Sequence, residues 1–349
     1  MKNGYGTDYD RDVISMRSSW GDSSGSGGIN WGSSNTPSSP RVKSRNEIMN
    51  EILQKFTTRF LPKMDPVGKK LKSKSKRPII IVLDETGSNK YFFATFYAKL
   101  PMFLDQIKKI FGDDVEILFI GVGDANSDYH SLQVAKFANT KELDDEITSI
   151  WPEGDGGGQG RETYELAALF INQNIEFSPG ASPVVIFLGD EAPYDMIKES
   201  QARELGLVAE SVKTSDVFKT LRRKVKDNCF MLLNKYCGRS YFLDDAVEKW
   251  EKLLASKHLV KMPEDENGKN DDNAIVDMML GIIKLVAGGT LKDYTVEMLD
   301  RGQSTARITG VTKSLNELQT SLVPVVTTTI PKVNSINNAP TIATKPKRL

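Results

Sequence analysis

Ile79-Ile80-Ile81-Val82-Leu83-Asp84-Glu85-Thr86-Gly87-Ser88 is the stretch on which the reading of this chain turns. Its first five residues are apolar and mostly β-branched, as expected of a strand covered on both faces. Three oxygen-bearing side chains, Asp84, Thr86 and Ser88, then follow at alternate positions, so that a loop leaving the strand can aim them at one point. One carboxylate and two hydroxyls form a hard-oxygen set of the kind that suits Mg²⁺. The same residues also serve as β-turn formers and helix N-caps.

Outward from this stretch the pattern alternates. A helix is expected over Tyr91 to Phe111, a strand over Val115 to Gly121, and helices over Lys141 to Ile150 and Thr163 to Asn174. Pro183 to Leu188 reads as a second fully buried strand, and Lys213 to Lys226 as helix. Cys229 to Leu233 then gives a strand, followed by a helix over Asp245 to Ala255. Alternation of this kind predicts an α/β fold with a mainly parallel central sheet, right-handed crossovers and helices on both faces. Upstream, Ser44 and Glu47 form a capping-box pattern before an amphipathic helix expected from Arg45 to Leu61, where Pro62 stops it. Lys63 to Arg77 reads as a basic, solvated connector without the aromatic interleaving of a nucleic-acid surface.

Residues 1–43 are rich in Gly and Ser and show no apolar periodicity, and residues 323–349 combine Pro, Thr, Asn and Lys. Neither tail can bury enough surface to offset its ordering entropy, so both are expected to be disordered. Trp20 and Trp31 stand isolated in the first. The resulting division is a tail (1–43), a helix and linker (44–76), an α/β domain (77–262), a helical extension (263–322) and a tail (323–349). More helix is expected over Leu291 to Leu299 and Lys313 to Leu322.

Bulk composition narrows the function. Lys+Arg and Asp+Glu balance at 46 each, so no global charge draws the chain to nucleic acid. The most apolar run, Ala274 to Ala287, is interrupted by Asp277 and Lys284 and reads as a core helix, not a membrane span. Met1 to Asp10 lacks the basic-then-apolar order of a signal peptide. Cys229 and Cys237 fit neither a zinc pattern nor a disulfide framework. Together these features predict a cytoplasmic protein without a membrane partner.

Two further segments bear on the acidic loop. Phe187-Leu188-Gly189-Asp190-Glu191 ends the second buried strand in another acidic turn. Gly154 to Gly160 forms a Gly-rich loop leading through Arg161, Glu162 and Thr163 into a helix. That loop lacks the Gly-Lys-Ser/Thr ending of a phosphate-binding loop. Taken in order, the three segments resemble the metal-ion-dependent adhesion site of von Willebrand factor A domains, over roughly Arg77 to Met262. The family pairs Asp-x-Ser-x-Ser after its first strand with a Thr near a helix start and an Asp after its fourth strand. The resemblance implies a Rossmann-like domain. It also implies Mg²⁺ or Mn²⁺ held by Asp84, Thr86, Ser88 and Asp190, with either Glu162 or Thr163 in the third position. A protein partner would complete the coordination with its own Asp or Glu, and family members also work with ATPases or within large assemblies.

The expected function is therefore a metal-dependent, non-enzymatic adaptor. Its alternative is a structural component of a large assembly or virion whose tails act as arms. Asp84 after a first buried strand also resembles the nucleophile of haloacid dehalogenase-like phosphatases, but Thr86 stands where their general acid belongs. Asp124 and Asp128, after the second strand, are expected to make turns in preference to a second acidic site. His130 and His258 are expected to be structural.

Overall fold

The computed structural model describes residues 44–139, 142–154, 160–208, 210–234, 240–265 and 270–322. The expected disordered tails, with Trp20 and Trp31, lie outside the described residues, as does Cys237.

Six strands form the central sheet: β1 (Ile79–Asp84), β2 (Ile117–Val122), β3 (Leu132–Val134), β4 (Val184–Gly189), β5 (Cys229–Leu233) and β6 (Leu259–Lys261). Their spatial order is β6-β5-β4-β1-β2-β3. β1 lies at the centre, paired in parallel with β2 on one side and β4 on the other. Every residue of β1, β2 and β4 is buried, which is why these strands read as unbroken apolar runs.

The sheet is mixed. β3 runs antiparallel to β2, and Val212–Lys213 pairs antiparallel with Met196–Ile197 outside the sheet. The expectation of a mainly parallel, Rossmann-like von Willebrand factor A-type sheet is corrected accordingly. The physical reason lies in residues 123–131, a connection too short for a helical crossover, so the chain can only turn back beside β2.

Helices cover both faces. On one lie α1 (Arg45–Leu53), α2 (Lys90–Ala98) and α3 (Leu100–Phe111), and α4 (Leu143–Thr148) follows β3. The other face carries α5 (Tyr164–Asn174), α7 (Thr214–Lys224) and α8 (Ser240–Leu253), while α6 (Glu199–Glu204) is a short connector. Alternation along the strands assigns the aromatic residues to each side. Phe187 of β4 meets Phe218 of α7 and Trp250 of α8, each at 5.5 Å, and Tyr164 of α5 meets Trp250 at 5.3 Å. Phe119 of β2 meets Phe96 of α2 at 6.1 Å on the opposite face. Edge-on pairs of this sort contribute about 0.5–1.5 kcal/mol each beyond the area they bury.

Helix boundaries depart from the sequence reading where local chemistry intervenes. The expected single helix from Tyr91 to Phe111 breaks at Lys99, because Pro101 belongs in the first turn of a new helix. α1 keeps its capping box, with Ser44 Oγ accepting from the Glu47 amide, but ends at Leu53 instead of Leu61. Beyond it the Thr57 amide leaves helical pairing to donate to the Thr148 carbonyl. The basic linker is more than a solvated connector, since Leu71–Ser73 pairs in parallel with Ile175–Phe177.

The last three helices, α9 (Ile275–Val286), α10 (Leu291–Asp300) and α11 (Thr305–Leu322), pack on the α2–α3 side. α9 is almost wholly buried despite Asp277. That carboxylate accepts from Arg301 at 3.0 Å and lies 3.6 Å from Arg307 Nη1, so the two guanidinium groups offset its desolvation. Among the described residues, no helix is long and apolar enough to cross a membrane.

Candidate functional site

Because β1 and β4 are parallel neighbours, both deliver their following loops to the same end of the sheet. Asp84 closes β1, and Asp190 follows directly on β4. α5 starts at that end as well, with Glu162 and Thr163 just before its first residue. The chain thus gathers Asp84, Thr86, Ser88, Glu162 and Asp190 in one place, and burial is extreme. Asp84, Thr86, Glu162, Thr163 and Asp190 are all buried, and only Ser88 is partly exposed.

These side chains are tied to one another. Thr86 Oγ1 donates to Asp84 Oδ1 at 2.6 Å, and Ser88 Oγ donates to Asp190 Oδ1 at 3.2 Å. Asn89 Nδ2 also donates to Asp190 Oδ1, at 2.7 Å. The second Asp84 oxygen accepts from the Tyr164 hydroxyl at 2.7 Å. Thr163 turns away, its hydroxyl donating to the Gly123 carbonyl. Of the two residues left open by the sequence, Glu162 is therefore the one whose carboxylate remains unengaged.

The expected Mg²⁺ or Mn²⁺ centre is corrected by this arrangement. Among the described residues, no group of three or more His, Cys, Asp or Glu side chains is placed to hold a metal ion. The hydroxyls of Thr86 and Ser88, read as ligands, donate their hydrogens to the neighbouring carboxylates. The label of a metal-ion-dependent adhesion site is withdrawn with it.

Unbalanced negative charge is what remains. Both oxygens of Glu162 and Oδ2 of Asp190 are buried without a hydrogen-bond partner among the described residues. Burial, reinforced by Asp84 and Glu191, pushes the Glu162 carboxyl well above the usual range. Asp190 is raised by burial and then by Asp84. Burial likewise raises Asp84, while hydrogen bonds from Thr86 and Tyr164 hold it back. Around them stand Asp128, Glu153 and Glu191, each half-buried, and burial lifts Glu191 to about 7. Among the described residues Arg161 is the cation acting on Glu191, and it is paired with Asp245.

Several participants carried no sequence signal. Tyr164 fills the space beside Gly189, where a Cβ would collide with its hydroxyl. Glu85, read only as part of the loop, points beneath it and accepts from Gln133 Nε2 at 2.7 Å. Glu165 accepts from the Tyr194 amide. Asp124 and Asp128 make the turn expected of them, the Asp124 amide donating to Asp128 Oδ2 at 2.7 Å. His258 is structural, stacked on Phe230 at 4.5 Å. His130 stacks on Phe60 at 3.7 Å.

No family model matches the chain, and no curated protein matches it. Similar solved structures include the pilus adhesin SpaC of Lactobacillus rhamnosus GG in its open conformation. It is 13% identical with a TM-score of 0.41, over 62% of this chain and 31% of that one. The adhesive tip pilin GBS104 of Group B Streptococcus agalactiae is 9% identical, with a TM-score of 0.40 over 60% of this chain and 99% of that one. Proximal thread matrix protein 1 of the mussel byssus is 9% identical, with a TM-score of 0.39 over 62% and 49%. The chain thus spans about a third of the length of the SpaC adhesin. The resemblance to von Willebrand factor A domains gains no family match from these comparisons, and the assignment is withdrawn.

Proposed function

We propose that this chain is a non-catalytic structural component of a larger assembly, and that it engages its neighbour through the carboxylate-rich face at the ends of β1 and β4. The observation that carries this reading is the pair Glu162 and Asp190: both oxygens of the first and Oδ2 of the second are buried with no hydrogen-bond partner among the described residues. A buried carboxyl without a partner costs about 1–3 kcal/mol or more. A neighbour offering positive charge or hydrogen-bond donors to the half-buried rim would recover part of that cost. The assembly reading is supported over a metal-dependent adaptor because, among the described residues, no three or more His, Cys, Asp or Glu side chains are placed to hold a metal ion.

A hydrolytic role for Asp84 finds less support. Both of its oxygens accept hydrogen bonds and burial favours its neutral form, whereas a nucleophile needs a free, ionised oxygen.

Site-directed photocrosslinking in the native source tests the proposal. Tyr129 is 86% exposed beside the acidic rim, and Leu299 is 55% exposed on α10, away from it. A photoreactive side chain at Tyr129 should form a discrete protein adduct that Asp190→Ala abolishes. Adducts formed equally from Leu299, or undiminished by Asp190→Ala, would place the interface elsewhere.

A further inference from the structure

The sheet separates opposite charges. At the carboxyl ends of the strands lie the rim carboxylates Asp128, Glu153 and Glu191 around the unpartnered Glu162 and Asp190. At the amino ends runs the basic segment, in which seven residues from Lys63 to Arg77 are Lys or Arg and one is Asp. Its place is fixed: Leu71–Ser73 pairs with Ile175–Phe177 just beyond the far end of α5, and Arg77 immediately precedes the strand residue pair Pro78 and Ile79.

The cations there are available. Lys72, Lys74, Lys76 and Arg77 are all exposed. Lys72 makes only a 3.7 Å contact with Glu176, both side chains more than half exposed, a pairing that contributes little. Lys76 Nζ donates to the Pro179 carbonyl, which leaves its charge unneutralised. Glu116 accepts from the Ser73 hydroxyl and the amides of Lys74 and Ser75, and Asp114 accepts from the Lys76 amide. Lys74 has no side-chain partner among the described residues.

One molecule cannot pair these two faces with each other. A six-residue strand holds them about 17–20 Å apart, more than a Debye length at about 0.1 M salt. We infer that the occupant of the acidic face is a second copy of this chain, whose basic segment around Lys74 docks on the rim at Asp128, Glu153 and Glu191. The contact joins two different surfaces, so it is heterologous, and its repetition gives a head-to-tail chain instead of a closed dimer. Opposite potentials steer the encounter, and docked lysine ammonium groups supply the positive charge that Glu162 and Asp190 lack.

This inference rests on the assembly reading above but can fail separately from it. The test is sedimentation of the full chain over a range of protein and salt concentrations. At about 0.1 M NaCl the average mass should rise with protein concentration, and near 1 M, where the Debye length is about 3 Å, it should return to monomer. Lys72→Glu combined with Lys74→Glu should weaken association by more than about tenfold, as should Glu153→Lys combined with Glu191→Lys. Mixed in equal amounts, the two variants offer each other one intact pair of faces and one pair with both charges reversed, so association should be recovered. Native circular dichroism and an unchanged melting profile at high salt confirm that each variant is folded.

A wild-type chain that stays monomeric at low salt overturns the inference, and so does a basic-face variant that associates like wild type. Association that depends on added Mg²⁺, or that a chelator abolishes, overturns it too. If the wild type is monomeric while the Tyr129 probe still captures a different protein, self-assembly falls and the assembly reading stands.

Discussion

Tyr164 and Asp84 lie eighty positions apart in sequence, yet the phenol donates to Asp84 Oδ2 at 2.7 Å. That contact joins the first turn of α5 to the end of the central strand. Among the described residues it is also the one donor to the Asp84 carboxylate from outside the loop, since Thr86 supplies the others from two positions on.

Tyr164→Phe removes the donor and leaves the buried Asp84 Oδ2 unsatisfied as well. The ring contacts with Phe187 and Trp250 should survive. Urea denaturation should show a loss of about 1–3 kcal/mol, with the denaturant slope unchanged. A loss below about 0.5 kcal/mol would mean that water or a neighbour satisfies Asp84 equally well.

Stability should fall as pH rises across the neutral range. Glu162, raised well above its ordinary value, and Glu191, raised to about 7, are both harder to ionise in the folded chain than in the unfolded one. Stabilisation from such groups is complete below the unfolded value near 4.5 and is lost as pH climbs through the folded value. For Glu191 that window is pH 4.5 to about 7. Glu162→Gln and Glu191→Gln should each flatten the fall in melting temperature as pH climbs from about 4.5, the effect of Glu191→Gln being complete by about pH 7. A profile that both variants leave untouched would count against uncompensated burial of these groups.

His258 gives the opposite slope. Burial lowers its value below 6.5, although the Cys229 carbonyl facing Nδ1 favours the charged form. The unfolded chain therefore binds a proton near pH 6.5 that the folded chain refuses, so this contribution is present above 6.5 and is lost as pH falls. His258→Gln should remove the acid-side decline while costing the stacking on Phe230, read as a lower melting temperature at pH 8.

Two ion pairs in the C-terminal helices should differ sharply on mutation. Asp277 is 1% exposed, so Asp277→Ala removes the buried carboxylate that Arg301 donates to, while Arg307 keeps Asp271, and it should cost about 3–5 kcal/mol. Glu317, paired with Lys257 at the surface, should tolerate Glu317→Ala with little change in stability. Equal effects in chemical denaturation would contradict this assignment of burial.

How much of this was legible in the sequence depends on the reach of each signal. Ile79 to Leu83 and Cys229 to Leu233 announce themselves because strands buried on both faces need apolar residues at every position. Leu132 to Val134 does not, since it has three residues with a buried Gln133 in the middle. That glutamine fits only because Glu85 and the Trp151 backbone bond to it. The convergence of Asp84 with Asp190 follows from adjacent parallel strands, whereas the direction each oxygen takes does not. Thr86 and Ser88 suit a metal by composition, and their hydrogen bonds to the carboxylates appear only once both loops are in place. Glu162 and Thr163 are adjacent, and only the start of α5 separates their roles.

At Gly189 the central sheet ends without a side chain, and the Tyr164 hydroxyl occupies the space. The end of β4 is thus a socket, and α5 is keyed into it by a ring that also touches Phe187 and Trp250. Any slide of α5 along its axis must first withdraw that ring from between strand and helices. Force applied at the rim of such a molecule passes through α5 to the basic segment paired beyond its far end, without an elastic joint between. A subunit built this way would transmit tension along a chain of copies and would yield at the contacts between them before it yielded within.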